Sequence, residues 1–278
     1  MMPGGGTTPR SCGVVGWPAR YSLSPALHRA GYAAVGLDWA FDAYDVPPDT
    51  LAAFVAKLDD TWRGLAVTMP HKEVALTLGT PDQAAAQVGA ANTLVFESDG
   101  VQVRNSDIPG ALQALATRGI DAVSDAVIVG AGATSRSIVA ALARIGLKRL
   151  TVLARRPEQA WGALRLAETL GVTAKAAPIG PHPGTDLLVS TLPRDAVAAY
   201  VADLVPGAGA VFDVAYHPWE RPLLDAARTS GVPTIDGLDL LAGQAAIQFQ
   251  LLTGCEVSFG LLREAGLAEL AERGALSQ

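Results

Sequence analysis

The chain has 278 residues, half of them hydrophobic and 17% charged, with a formal net charge of −6. That length suits one large domain or two ordinary ones, with enough apolar material for a sizeable core. No basic tract or interleaved aromatic stripe is present, which argues against a nucleic-acid partner, and every apolar stretch of membrane-spanning length, about 18 residues, is interrupted by charge.

Met1–Arg10 is rich in Gly, Thr and Pro and lacks the apolar centre of a secretory signal, so it reads as a disordered lead-in to a cytoplasmic protein. Strand-like apolar runs follow at Cys12–Trp17, Trp39–Val46, Gly64–Thr68, Asn92–Phe96 and Val101–Arg104. Asp99-Gly100 between the last two is a hairpin turn signal and predicts one antiparallel pair. A boundary falls near Asn105–Ile108, followed by an amphipathic helix over Pro109–Arg118. Further strands are expected at Ala126–Val129, Leu150–Ala154, Thr173–Ala176, Leu187–Ser190, Ala210–Asp213 and Thr234–Asp236. Helical periods lie between them at Pro25–Val35, Ser135–Ile145 and Pro157–Leu170, and two more helices close the chain at Gly237–Gly254 and Ser258–Glu272.

This alternation predicts an α/β protein of two domains with mostly parallel sheets. The closing helices are expected to return to the first domain. The expected division is 11–107 with 239–278 as a discontinuous substrate domain, and 108–238 as a Rossmann-like nucleotide domain, with an active-site cleft between them. The two cysteines, Cys12 and Cys255, form no disulfide framework, and His28, His71, His182 and His217 lie too far apart in the chain for metal-ligand spacing. No metal is expected.

Lysine is rare here: Lys57, Lys72, Lys148 and Lys175 stand against 17 arginines. Lys72 follows an apolar strand and a proline in Val67-Thr68-Met69-Pro70-His71-Lys72. A lysine can release its proton where an arginine effectively cannot, so Lys72 is a candidate for proton transfer as well as for an ordinary solvated helix start.

Gly130-Ala131-Gly132-Ala133-Thr134-Ser135 follows an apolar strand and opens a helix. Gly130 permits the tight turn, Gly132 lets the backbone approach a pyrophosphate, and the small Ser135 lets the helix pack on the strand. The helix N-terminus then offers free N–H groups to the anion. At the tip of the next strand Arg155 and Arg156 occupy the place where NAD-binding folds usually carry an acid. Guanidinium groups there suit the 2′-phosphate of NADP, with Arg136 as a further cation; two solvated surface arginines are the plainer reading.

In the first half, Ser22-Leu23-Ser24-Pro25 precedes a helix containing His28. Ser24 is placed either as that helix's N-cap or as a ligand group, and Ser22 is not needed as a cap. Thr68, Lys72, Asn92 and the segment Asn105-Ser106-Asp107 lie at the ends of strand-like runs, where open α/β sheets bind ligands. Two hydroxyls, an amide, an ammonium and a carboxylate suit a polyhydroxylated acid. Asp107 could equally cap the helix beginning near Pro109.

Taken together the chain resembles the shikimate dehydrogenase family. The resemblance rests on S-L-S-P with His28, V-T-M-P-H-K, G-A-A-N-T, N-S-D-I-P-G, G-A-G-A-T-S-R, S-T-L-P, D-V-A-Y-H-P and the helix carrying Gln244-Ala245-Ala246, in that order from residue 12 to about 254. It implies reversible NADP-dependent reduction of 3-dehydroshikimate to shikimate, a step toward chorismate and the aromatic amino acids, by a monomer or homodimer. It implies that Ser22 and Ser24 bind the substrate carboxylate, and that Thr68, Lys72, Asn92, Asp107 and Gln244 bind its hydroxyls. Tyr216 would sit near the carboxylate and nicotinamide, and Lys72 with Asp107 would form the catalytic pair. The glycine turn, Arg155, Arg156, Thr191 and Gly237 would hold the cofactor.

Three positions depart from the family's usual pattern: Ser106 where Thr is common, Arg29 where Asn follows the helix histidine, and Ala154-Arg155-Arg156 where Asn-Arg-Thr is common. Other readings are a quinate/shikimate dehydrogenase paralogue, a different two-domain dehydrogenase such as a methylenetetrahydrofolate dehydrogenase, or a catalytically silent NADPH-binding regulator. Arg155-Arg156 argues against the NAD-preferring paralogue. The S-L-S-P and N-S-D elements argue against the second, and the complete Lys72, Asp107 and Gln244 set argues against the third.

Overall fold

A computed structural model describes residues 9–216 and 221–274. The chain divides into two compact units: one runs to Ser106 and resumes over Ala245–Glu269, and the other spans Asp107–Gln244 and resumes at Leu270. The changes of unit expected at 107/108 and 238/239 fall instead at 106/107 and at 244/245, the second inside the long helix of the closing segment.

The first unit holds β1 (Ser11–Gly16), α1 (Ser24–Val35), β2 (Ala40–Asp45), α2 (Leu51–Val55), β3 (Trp62–Val67), β4 (Thr80–Pro81), α3 (Gln83–Val88), β5 (Thr93–Glu97) and β6 (Gly100–Arg104). The second opens with α4 (Asp107–Ala116) and continues with β7 (Asp125–Val129), α5 (Ala133–Arg144), β8 (Arg149–Leu153), α6 (Trp161–Thr169), β9 (Thr173–Ala177), β10 (Leu187–Ser190), α7 (Arg194–Ala198), α8 (Val201–Leu204), β11 (Val211–Asp213), α9 (Pro222–Thr229) and β12 (Thr234–Ile235). Then α10 (Gly237–Thr253) and α11 (Phe259–Glu272) close the chain.

In the first unit the sheet order is β2-β1-β3-β5-β6-β4. Only β5 runs against the others, paired antiparallel with β3 and β6. This reversal brings the start of β5 to the same edge as the ends of β1, β3 and β6, so loops carrying different motifs meet there. One face of the sheet buries Val15, Leu65, Val67, Leu94 and Val103 under α2 and α3. The other buries Cys12, Val14, Phe41, Ala66 and Val95 with Tyr32 of α1 and Phe249 and Leu252 of α10. Strands covered on both faces read as continuous apolar runs, which is why they were visible in the sequence.

The second sheet is fully parallel, ordered β12-β11-β10-β7-β8-β9. That is the doubly wound order, reversing between β7 and β10, and ligands of such sheets bind at the carboxyl ends of the strands where the order reverses.

Several local expectations differ from the structure. Arg10, placed in the disordered lead-in, is anchored: its guanidinium donates to the Asp60 carbonyl at 2.5 Å and its own carbonyl accepts from Ala40 at 2.9 Å. Pro157–Ala160 forms a 3₁₀ turn before α6, where a single helix was expected. Helix α4 starts at Asp107, two residues before the expected Pro109, so Asp107 lies in its first turn. The short β4 lacks any apolar run and left no signal in the sequence.

Candidate active site

In the first unit the residues singled out by sequence gather at the edge where β1, β3 and β6 end and β5 begins. Trp17 N–H donates to the Met69 carbonyl at 3.0 Å, and Thr68 N–H to Val15 at 2.9 Å, joining the loops after β1 and β3. Both loops contain a cis proline, at Trp17-Pro18 and Met69-Pro70. A buried His71 bonds the Val46 carbonyl through Nε2 at 2.8 Å and fixes the turn that carries Lys72. The Lys72 carbonyl accepts from Ala91 N–H at 2.7 Å, so Lys72 is tied to the residue preceding Asn92. Lys72 and Thr68 are half-buried, whereas Asn92 is 1% exposed.

Ser22 and Ser24 lie beyond the end of β1 and are buried. The structure assigns the capping differently from the sequence. Ser24 is the first residue of α1, and no side chain caps the N-cap Leu23. The Ser22 hydroxyl instead accepts from Ser24 N–H at 3.1 Å. Ser22 thus has a structural role that sequence reasoning gave to its neighbour. Arg29, one of the three departures from the family pattern, pairs with Asp42 at the surface.

The second unit carries the remaining residues. The turn after β7 places Gly130 at φ +113°, open to glycine and strained for other residues. Gly132 is exposed, and a Cβ built on it meets nothing within 4 Å, so its backbone borders open space. No side chain caps α5 at Gly132. The first-turn N–H groups of α5 thus face a region an anion can enter. Ala131, Ala133 and Thr134 are half-buried around this turn, and Ser135 is buried. The Ser135 hydroxyl donates to the Gly130 carbonyl at 2.8 Å, and Thr191, at the end of β10, donates to Val129 at 3.1 Å.

At the tip of β8, Arg155 and Arg156 are both exposed. With the Gln159 amide turned so that its oxygen faces the guanidinium, Arg156 donates to it at 2.7 Å. Arg155 makes no ion pair or hydrogen bond among the described residues. Arg136, in the first turn of α5, runs past α6, with its Cδ 3.5 Å from the Cβ position of Gly162. An uncapped helix start, an open glycine backbone and exposed arginines on the following strand fit a dinucleotide with an extra phosphate on its ribose.

Asp107 is 1% exposed at the start of α4. One turn later Gly110 crosses α10 so closely that a Cβ there would lie 2.6 Å from the Gln244 backbone nitrogen. A Cβ on Gly243 would meet the Gly110 carbonyl at the same 2.6 Å. This crossing, invisible in the sequence, brings the helices bearing Asp107 and Gln244 together within the second unit. Tyr216 is half-buried after β11, and Gly237 is buried where a Cβ would strike the Val214 carbonyl at 2.5 Å. His217 and Pro218 of the D-V-A-Y-H-P motif lie outside the described residues.

Upstream of that segment, Asp213 ends β11 and pairs with Arg221 through Nε at 2.9 Å, with both side chains almost wholly buried. Burial pushes the Asp213 carboxyl up from its ordinary range, against the opposing pull of the Arg221 guanidinium. Sequence reasoning missed this pair and also Gln248. The signal for Gln248 was available: it is a second amide one turn beyond Gln244 on an apolar helix, where a buried polar group needs a partner.

The opposite edge of the first sheet carries a groove of 910 Å³ lined by Trp39, Trp62, Phe96, Arg63 and Leu252. Its Arg63 is already committed, donating to the Leu252 and Phe96 carbonyls at 2.9 and 2.7 Å and to Glu97 at 2.9 Å. Among the described residues, no cluster of His, Cys, Asp or Glu could hold a metal, and no helix is long and apolar enough to cross a membrane.

Residues 14–94 match the family described as the shikimate dehydrogenase substrate binding domain. A shikimate dehydrogenase (NADP(+)) of Nitrobacter winogradskyi is 36% identical over 89% of this chain and 92% of its own. The chain belongs to the shikimate dehydrogenase family. Solved structures agree with that membership. The Mycobacterium tuberculosis shikimate dehydrogenase superposes with a TM-score of 0.85 at 32% identity, over 93% of this chain and 99% of that one. The Thermus thermophilus shikimate 5-dehydrogenase, solved in complex with NADP(H) and shikimate, gives a TM-score of 0.83 at 31% identity, over 96% and 100% of the two chains.

Proposed function

We propose that this protein is an NADP-dependent shikimate dehydrogenase, reversibly reducing 3-dehydroshikimate to shikimate on the route to chorismate. The observation that carries this reading is the pairing of two sets on one family chain. The first sheet gathers Ser22, Ser24, Thr68, Lys72 and Asn92 at one edge, and the second presents an uncapped glycine turn with arginines at the neighbouring strand tip.

When bound, NADPH supplies the hydride that a ketone carbon accepts. The residues supply the rest. Lys72 donates a proton to the carbonyl oxygen during reduction and takes one from the hydroxyl during oxidation, a role open to an ammonium and closed to a guanidinium. Asp107 orients Lys72 and a substrate hydroxyl. Ser22 and Ser24 take the carboxylate; Thr68, Asn92 and Gln244 take hydroxyls; Tyr216 stands near the carboxylate and the nicotinamide. Gly130 to Ser135, Thr191 and Gly237 hold the dinucleotide, and Arg155 with Arg156 takes the 2′-phosphate. We place the enzyme in the cytoplasm as a monomer or homodimer, its cysteines free thiols.

The test is a spectrophotometric assay crossing shikimate and quinate with NADP and NAD. Shikimate with NADP is expected to be the fastest pair. Faster turnover of quinate with NAD would transfer the protein to the paralogue reading, and no turnover of any pair would leave the silent regulator.

A further inference from the structure

Three side chains without a part in the chemistry above converge on Asn92: Thr93 and Ser106 are 0% exposed and Gln248 is 2% exposed. The Asn92 side-chain oxygen accepts from Ser106 N–H at 2.7 Å, from the Ser106 hydroxyl at 3.1 Å and from the Thr93 hydroxyl at 3.1 Å. Gln248 Nε2 donates to the Asn92 backbone carbonyl at 3.0 Å and to the Thr93 hydroxyl oxygen at 3.1 Å. The bonds form a consistent chain. Gln248 spends one hydrogen on each of its acceptors, and the single Thr93 hydrogen has the Asn92 oxygen at 3.1 Å as its nearer acceptor, with the Ser106 hydroxyl oxygen at 3.4 Å.

An asparagine amide can ordinarily be turned over, exchanging its oxygen and nitrogen. Here it cannot. A backbone N–H is only ever a donor, so an Asn92 turned over would set its NH₂ against the Ser106 N–H and leave that N–H buried without an acceptor.

We propose that Thr93, Ser106 and Gln248 are positioning residues that lock the Asn92 amide in one orientation, so that it meets the substrate only as a hydrogen-bond donor. The substrate atom it reads is then an oxygen lone pair, and a ligand offering only a donor at that point is rejected. The identity of that substrate rests on the shikimate reading.

The experiment measures shikimate affinity by calorimetry, and kcat and KM, on the full chain as wild type, Thr93→Val, Thr93→Ser and Ser106→Ala. Thr93→Val keeps the shape and removes the hydroxyl. It is expected to raise the Kd and KM for shikimate about tenfold, with kcat and the KM for NADP within about twofold. Thr93→Ser restores the hydroxyl and with it the affinity. Wild-type shikimate affinity in folded Thr93→Val overturns the proposal. Should Thr93→Val not fold, Ser106→Ala decides: it loses one of three donors, about a threefold weakening is expected, and no weakening overturns the proposal. A wild type that neither binds nor oxidises shikimate defeats the functional reading instead, and the inference falls with it before any variant is made.

Discussion

The hydroxyls of Ser135 and Thr191 lie 2.9 Å apart, linking the first turn of α5 to the end of β10. The contact lies where the order of the second sheet reverses, between the helix that follows β7 and the end of β10, and the Thr191 hydroxyl fills the space beside Gly130. A Cβ at Gly130 would run into the Thr191 hydroxyl oxygen, at a φ that a side chain disfavours. Gly130→Ala is therefore expected to cost about 1–3 kcal/mol of stability. NADPH affinity should fall by about tenfold or more as the turn shifts away from the phosphates. Thermal melts with and without NADPH check both, and an unchanged NADPH-induced stabilisation would remove the turn from the cofactor site.

Lys72→Ala is expected to cut turnover by about a hundredfold or more, because it removes the group proposed to transfer the proton. Shikimate affinity should stay within about tenfold of wild type. Lys72→Arg keeps the charge and should remain as slow as Lys72→Ala. Steady-state rates with parallel binding measurements decide the matter, and near-normal turnover in either variant sinks the assignment.

Arg155 offers an uncommitted guanidinium at the tip of β8. Arg155→Ala should weaken NADP binding at least about tenfold more than NAD binding, since only NADP carries the 2′-phosphate. Titrating both cofactors against the variant tests this. Equal losses for the two would exclude a contact to that phosphate.

His28 stacks on Phe41 with ring centroids 4.0 Å apart and has no exposed surface. Burial pulls its pKa down from 6.5 to about 3, opposed by the Gln248 side chain. An unfolded chain therefore takes up a proton below its ordinary value that the folded protein refuses. The stability linked to His28 is complete above pH 6.5 and is lost as the pH falls toward 3. The loss should run at about 1.4 kcal/mol per pH unit. Denaturant unfolding of wild type and His28→Phe over about pH 4.5 to 6.5 should show a slope in wild type that the variant lacks by about that amount. Parallel slopes would mean that His28 is protonated in the fold.

The strands were legible because burial on both faces leaves unbroken apolar runs, as in Val127, Ile128 and Val129 of β7. The glycine turn was legible because tight backbone geometry restricts residue type. What escaped was set by distant pieces of chain. Nothing near Gly110 announces that its Cβ position would collide with Gln244, and nothing near Asp213 names Arg221 as its buried partner. Ser22 and Ser24 show a subtler limit. Residue type alone cannot say which of two serines spends its hydroxyl on the backbone, and the structure gives that duty to Ser22.

Helix α10 begins in the second unit and ends in the first, which gives synthesis an order. Gln248 meets Asn92 across 156 residues, and Leu252 accepts from Arg63 across 189. On the ribosome, the strands of the first sheet emerge before α10, and the face that Phe249 and Leu252 help to cover has only α1 on it while residues 107–244 are made. The strands of the second sheet can pair as they appear, whereas the first unit gains Gln248 and Leu252 only when α10 arrives. The first unit is thus left open for the length of chain between its two segments, and that interval is when a nascent chain most needs shielding from its neighbours.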